Sequence, residues 1–210
     1  MQKQEAYHAT KRDNITDILT EGFKTSISTN KKEHWLGKGI YFYEDLYYAV
    51  EWCYLGLKNQ NKNLEILKEK FGIIKVEIDT DNFKILDLNS GIGYDTFRKI
   101  VHTIKDKCSK EELKKIENDG DIKIIRIIEK VEEELGKKIF SAFDVIYALY
   151  PKNIFKKSTN HQGDFFVGMQ KQICVKNPKA ITSKKEYNVE NENIVNIYNL
   201  IVENRRKIKW

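Results

Sequence analysis

Apolar positions along the chain change period several times, and each change marks an element. Residues 5–10 (EAYHAT) form a short strand-like start. Asp13 and Asn14 then stand where a helix cap would, ahead of Ile15, Ile18 and Leu19 at i, i+3, i+4 spacing, and Gly22 follows as a helix-ending glycine. A polar loop over 26–34 leads through Trp35-Leu36-Gly37-Lys38-Gly39 into a strand over 40–43. Glu44 and Asp45 open the next helix, where their charge suits its dipole. That helix runs to about Lys58 and carries Tyr47, Tyr48, Trp52 and Tyr54. Alternation predicts strands over 73–79 and 85–88.

Residues 93–138 break this rhythm with three helical stretches, over 94–107, 110–118 and 121–136, which read as a helical insertion between strands. Strands return over 143–150, stopped by Pro151, then over 165–167 and 172–176. The stretch 152–171 is a loop with only the short middle strand inside it, and loops of that length between strands are often functional. A final helix, about 192–207, sets Ile194, Ile197, Tyr198 and Ile201 on one face, as packing on a sheet requires. The order predicts an α+β fold in a single domain over 1–210, with the insertion and the terminal helix as additions.

Composition narrows this picture without redirecting it. Hydrophobic residues make up 40% and charged residues 32%, and two prolines and eleven glycines leave no room for a Pro-rich or Gly-rich linker. The net charge of +6 comes from 37 basic against 31 acidic residues, many alternating in sign as on a solvated helix face. Local basic clusters stand at Lys152, Lys156 and Lys157 and at Arg205, Arg206, Lys207 and Lys209. Such an excess permits a nucleic-acid partner but does not demand one. Cys53, Cys108 and Cys174 are too widely spaced for a zinc site and suit a reducing compartment. No apolar run approaches the ~18 residues of a membrane span, so the expectation is a cytoplasmic protein with no membrane partner and no metal.

Three segments carry candidate chemistry. The first is Tyr7-His8-Ala9-Thr10, where an imidazole ends a short strand beside a small residue and a hydroxyl. The second is Gly37-Lys38-Gly39-Ile40-Tyr41-Phe42, whose glycines allow a tight turn and close approach of the backbone to a ligand. The third is the following helix, where Trp52 lies eleven residues past Tyr41, so that two aromatics can hold a flat ring between them. Each has an ordinary reading alone: a core or surface histidine, a glycine turn, core aromatics.

Together, His8, the run with Tyr41, and Ala49-x-x-Trp52-Cys53 resemble the NAD-binding half of the His-Tyr-Glu ADP-ribosyltransferases, which include the poly(ADP-ribose) polymerases and the diphtheria-like toxins. Phe143-Asp144-Val145-Ile146 and the stretch 172–181 look like the closing strands of bacterial and phage relatives. The resemblance covers roughly 5–55, 72–88 and 141–181. It implies an ADP-ribosyltransferase-like split sheet and NAD⁺ as co-substrate, with no metal. It also implies that His8 holds a ribose 2′-hydroxyl, that Ala9 contacts the nicotinamide amide through its backbone, and that Tyr41 and Trp52 sandwich the ring. Gly39 belongs to the same cofactor set, Thr10 and the loop 25–35 lie near the adenosine, and Ala49 replaces a serine that bonds the carboxamide.

One departure bears on catalysis. Where the family carries its glutamate this chain has Gln172, so the implied catalytic set is His8, Tyr41 and Gln172. A glutamine can bond the ribose hydroxyl but supplies no negative charge to the oxocarbenium-like transition state. Three explanations stay open: a slower mono-ADP-ribosyltransferase with help from an acid such as Asp164, a non-catalytic NAD⁺ or ADP-ribose binder, and a glutamate replaced to inactivate the enzyme. In the loop before Gln172, His161, Asp164 and Gln170 are the acceptor-recognition candidates by resemblance. The implied acceptor is a macromolecule, protein or nucleic acid. The resemblance further suggests a bacterial or phage toxin or anti-phage effector, with an antitoxin or inhibitor protein as a possible partner. RNA 2′-phosphotransferases share the strand histidine and NAD⁺ use, but the arginines of their phosphate site are not evident here.

Overall fold

The computed structural model describes residues 2–25, 36–57, 62–105, 109, 111, 128–129, 131–134, 136, 138–151, 169–188 and 190–207. In chain order the elements are β1 (Lys3–Lys11), α1 (Asn14–Glu21), β2 (Ile40–Tyr43), α2 (Leu46–Gly56), α3 (Leu64–Lys70), β3 (Phe71–Asp79), β4 (Ile85–Asp87), α4 (Gly91–Lys105), β5 (Val145–Pro151), β6 (Met169–Val175), β7 (Ile181–Tyr187) and α5 (Glu192–Lys207). The chain is a mixed α+β protein. Most of the helical patterns over 110–118 and 121–136, and the strand over 165–167, fall outside the described residues.

The chain groups into two compact units rather than around one core. The first comprises Met1–Lys24, Phe42–Asp79 and Ile181–Trp210, and the second Thr25–Tyr41 and Thr80–Ala180. In the first unit the strands lie in the order β2-β1-β3-β7, all antiparallel to their neighbours. The register pairs His8 with Ile74, Ala9 with Ile73 and Thr10 with Gly72, so alternate residues of β1 divide between two faces. Ala9, Ile73 and Phe71 join Ala49, Val50, Cys53, Leu67, Ile194 and Ile201 in a core under α2, α3 and α5. His8 and Thr10 point to the other face, where the side chain of Ile15 from α1 fills the space a Cβ at Gly72 would need.

The second unit pairs β4 with β5 in parallel and β5 with β6 antiparallel. Its core gathers Leu36, Leu86, Ile100, Ile104, Ile128, Val131, Phe140, Ile146, Ala148 and Cys174. The insertion therefore supplies core: Ile100 and Ile104 from α4, with Ile128 and Val131 further on, are all buried. Buried Glu132 receives the backbone N–H groups of Ile139, Phe140 and Ser141 on one carboxylate oxygen, which fixes the chain as it turns back toward β5.

Local chemistry explains where the elements start and stop. Asp45 caps α2, its Oδ1 accepting from the Tyr47 N–H at 2.8 Å. Asp13 does not cap α1: it is already helical at φ −60° and ψ −24° and makes no side-chain cap bond. The helix start rests instead on Ile15 N–H donating to the Arg12 carbonyl. Gly22, at φ +95°, ends α1 in a conformation that favours glycine. Two elements carry no readable pattern. Helix α3 is a seven-residue, charge-rich turn capped by Asn63, and β7 shows buried-side positions only every third residue or so, without strand alternation.

Candidate functional site

The first unit places His8 in the wall of a solvent-open cleft of about 310 Å³, lined also by Thr10, Asn14, Asp17, Ile18, Gly22 and Lys24. The imidazole is half-buried and meets two rings edge-on, Phe23 at 5.2 Å and Phe42 at 5.7 Å between centroids. Phe23 and Phe42 also touch each other at 5.2 Å, so three rings brace one another. Thr10 is buried, and its hydroxyl accepts from Asn14 Nδ2 at 3.0 Å. The end of α1 is held by Lys184, whose ammonium donates to the Ile18 carbonyl at 2.7 Å. The cleft is thus lined by an imidazole, a carboxylate, an ammonium that also pairs with Glu21, and the bonded Thr10 hydroxyl and Asn14 amide. Asn14 and Asp17 were not singled out by sequence as site residues. Their i, i+3 spacing on α1 was the available signal.

Trp52 is not part of this cleft. Its ring packs at a right angle on Phe71, 5.7 Å between centroids, among the residues covering the Ala9 face of the sheet, and His8 leaves β1 on the opposite face. Alternation in β1 and the position of α2 over Ala9 make this unavoidable. Ala49 is fully buried in that same core and Ala9 nearly so, so both act as small packing residues there.

The second unit holds Tyr41 and Gln172. Tyr41 packs against the core of that unit, and its hydroxyl donates to the Gly37 carbonyl at 2.8 Å while accepting from the Leu36 N–H at 2.9 Å. Burial pushes the phenol far above its usual range, with buried Cys174 beside it adding to the effect. The hydroxyl is therefore a protonated brace for its own turn. Gly37 adopts φ +82°, and at Gly39 a Cβ would collide with Cys174 Sγ and lie 3.1 Å from the Val175 carbonyl. The glycine run is filled by protein at both positions, not held open for a ligand.

Gln172 is half-buried and paired with Ala148 across β5 and β6. Gln170, Gln172 and Cys174 alternate onto one face of β6, the face on which Cys174 and Ala148 join the core. Gln170 is buried. Tyr41 thus sits beside Cys174, one strand repeat from Gln172. His161 and Asp164, the other acceptor candidates, lie outside the described residues. Among the described residues, no cluster of three or more His, Cys, Asp or Glu could hold a metal ion, and no helix is long and apolar enough to cross a membrane. From the basic tail, Arg205 bonds the Glu51 carboxylate at 3.3 Å and lies over the Tyr54 ring.

The chain is 30% identical over 202 aligned positions to Uncharacterized protein MJ0359 of Methanocaldococcus jannaschii, an alignment covering 88% of this chain and 87% of that protein. No family model and no solved structure matches the chain.

Proposed function

The chain belongs to one family with this archaeal protein, and we propose that it is an NAD⁺-dependent mono-ADP-ribosyltransferase with an ADP-ribosyltransferase-like fold. The observation that carries the reading is the cleft at His8, where histidine, threonine and asparagine line a solvent-open space of about 310 Å³. In this reading His8 holds a ribose hydroxyl and Thr10 with Asn14 shapes the wall beside it. For Tyr41 the resemblance leaves a role for the ring alone, since its hydroxyl is committed to Leu36 and Gly37, and Trp52 is dropped from the site. The reaction breaks the bond between nicotinamide and ribose, and positive charge grows at the ribose as it breaks. By the resemblance Gln172 would orient the 2′-hydroxyl, and as a neutral amide it supplies no negative charge to speed this step. The acceptor is a macromolecule, protein or nucleic acid, as for a toxin or anti-phage effector, and an inhibitor protein would be its natural partner.

A specific pair of observations favours a second reading, a non-catalytic NAD⁺ or ADP-ribose binder. The Tyr41 hydroxyl is already committed to Leu36 and Gly37, and Gln172 is neutral. Labelled NAD⁺ incubated with the protein and a cell lysate, followed by chromatography for free nicotinamide, separates the two. Slow release is expected from the natural chain, with a rise of roughly 10²–10³ in Gln172→Glu, the worth of one preorganised electrostatic group. If neither protein releases nicotinamide, transfer is wrong. Calorimetric NAD⁺ binding that His8→Ala abolishes would then leave the binder.

A further inference from the structure

The turn that precedes Tyr41 is gripped by charged groups whose arrangement is unusual for a surface loop. Glu129, from the helical insertion, and Lys176, just past β6, form an ion pair at 2.7 Å with side chains only 12% and 8% exposed. Removing two charges from water is costly unless further hydrogen bonds complete them. Here the turn completes both. Glu129 Oε1 accepts the Lys38 N–H at 2.8 Å, and the Lys176 ammonium donates to the Lys38 carbonyl at 3.1 Å. The same ammonium lies 5.1 Å from the centre of the Phe140 ring.

The glycine at position 37 makes room for this. At φ +82° it favours glycine, and a side chain there would collide with the Glu129 carboxylate. A second strut joins the Lys38 ammonium to Glu133. Beneath the turn, Cys174 Sγ faces the carbonyls of Leu36 and Lys38 at 3.9 and 4.0 Å. The turn is therefore both latched by Glu129 and Lys176 and a cover for Cys174.

We propose that Glu129 and Lys176 are positioning residues: they latch the 36–39 turn, and through it the insertion sets where the Tyr41 ring stands. The placement of the latch stands on the geometry alone, and its effect on ligand rests on the reading given under Proposed function. Two readouts keep these apart. The first is the alkylation rate of Cys174 by iodoacetamide, followed by peptide mass spectrometry, which needs no ligand. The second is NAD⁺ affinity by calorimetry.

In Glu129→Ala and Lys176→Met, Cys174 alkylation is expected to rise roughly tenfold or more, the factor given by losing one charged hydrogen bond. NAD⁺ affinity is expected to fall by a similar factor while thermal unfolding stays cooperative. Glu129→Gln, which keeps an acceptor for the Lys38 N–H, should give an intermediate rise. It serves as the deciding variant if the alanine protein does not fold. Cys174 as protected in the folded variants as in the natural chain overturns the latch. Faster alkylation with unchanged NAD⁺ affinity overturns its effect on Tyr41. If the natural chain binds no NAD⁺, the reading of function fails, and the alkylation rates still decide the latch.

Discussion

His8 and Tyr41 carry the same resemblance and sit in opposite circumstances. Around His8 the polar atoms of Thr10, Asn14, Asp17 and Lys24 line a cleft that solvent enters. Around Tyr41 the polar atoms close on one another: phenol to the turn's backbone, carboxylate and ammonium to Lys38, thiol under the carbonyls. The first set borders open solvent even where its members pair, as Thr10 with Asn14 and Lys24 with Glu21, and the second is closed inside the protein. A sequence match locates a side chain. Whether its polar atoms face a ligand is decided by what the neighbouring backbone asks of them.

The largest expected effect breaks the His8 side. Phe42 is 1% exposed and braces both His8 and Phe23. Its truncation removes a ring that nothing nearby can replace, so Phe42→Ala should cost about 3–5 kcal/mol. A urea titration of the purified variant measures this. A midpoint close to that of the natural chain would show that the three rings touch without bracing the cleft.

How much of this was legible follows from the same contrast. Strand β1, whose buried positions do not alternate, read only as a short strand-like start, whereas β2 was readable because its burial alternates, and helix α1 because Ile15, Ile18 and Leu19 repeat at helical spacing. Strand β7 was not: as an edge strand hydrogen-bonded to β3 it keeps most side chains in water, so ITSKKEY carries no alternation. The site was legible in part. His8 could be picked out, but that β1 sends it away from α2, and so from Trp52, depends on which face α2 covers. Nothing in the charge-rich sequence around Glu129 singles it out. Only the folded chain brings it against Gly37, 92 positions back in sequence by subtraction of the two residue numbers.

A paired substitution sharpens the contrast at intermediate size. Tyr41→Phe removes the donor to the Gly37 carbonyl and leaves the N–H of buried Leu36 without its acceptor. Leaving a buried donor unmet costs about 1–3 kcal/mol, so a lower urea midpoint is expected with little change in the affinity for NAD⁺. His8→Ala is expected to do the reverse, lowering affinity more than stability, because its ring is half-buried beside the cleft. The contrast collapses if Tyr41→Phe loses ligand at full stability.

The smallest effect compares the two units through their buried thiols. Burial pushes Cys53 up to about 12, against slight opposing help from its own backbone N–H and Arg12, and pushes Cys174 up to about 12 despite nearby Lys176. The folded chain thus holds protons that an unfolded chain releases near pH ~8.5, the ordinary value for a thiol. The stability these thiols contribute is complete below that pH and declines as pH rises toward about 12. Neither thiol is reactive while covered, so iodoacetamide labelling at neutral pH counts openings of each unit. Cys53 lies in a core shared by α2, α3 and α5, whereas Cys174, itself part of the second unit's core, is closed on one side by the 36–39 turn, held by a few hydrogen bonds. Cys174 should therefore label several times faster than Cys53 in the natural chain. The opposite order would mean that the turn before Tyr41 is the more firmly closed of the two regions, and that the first unit opens more readily than its packing implies.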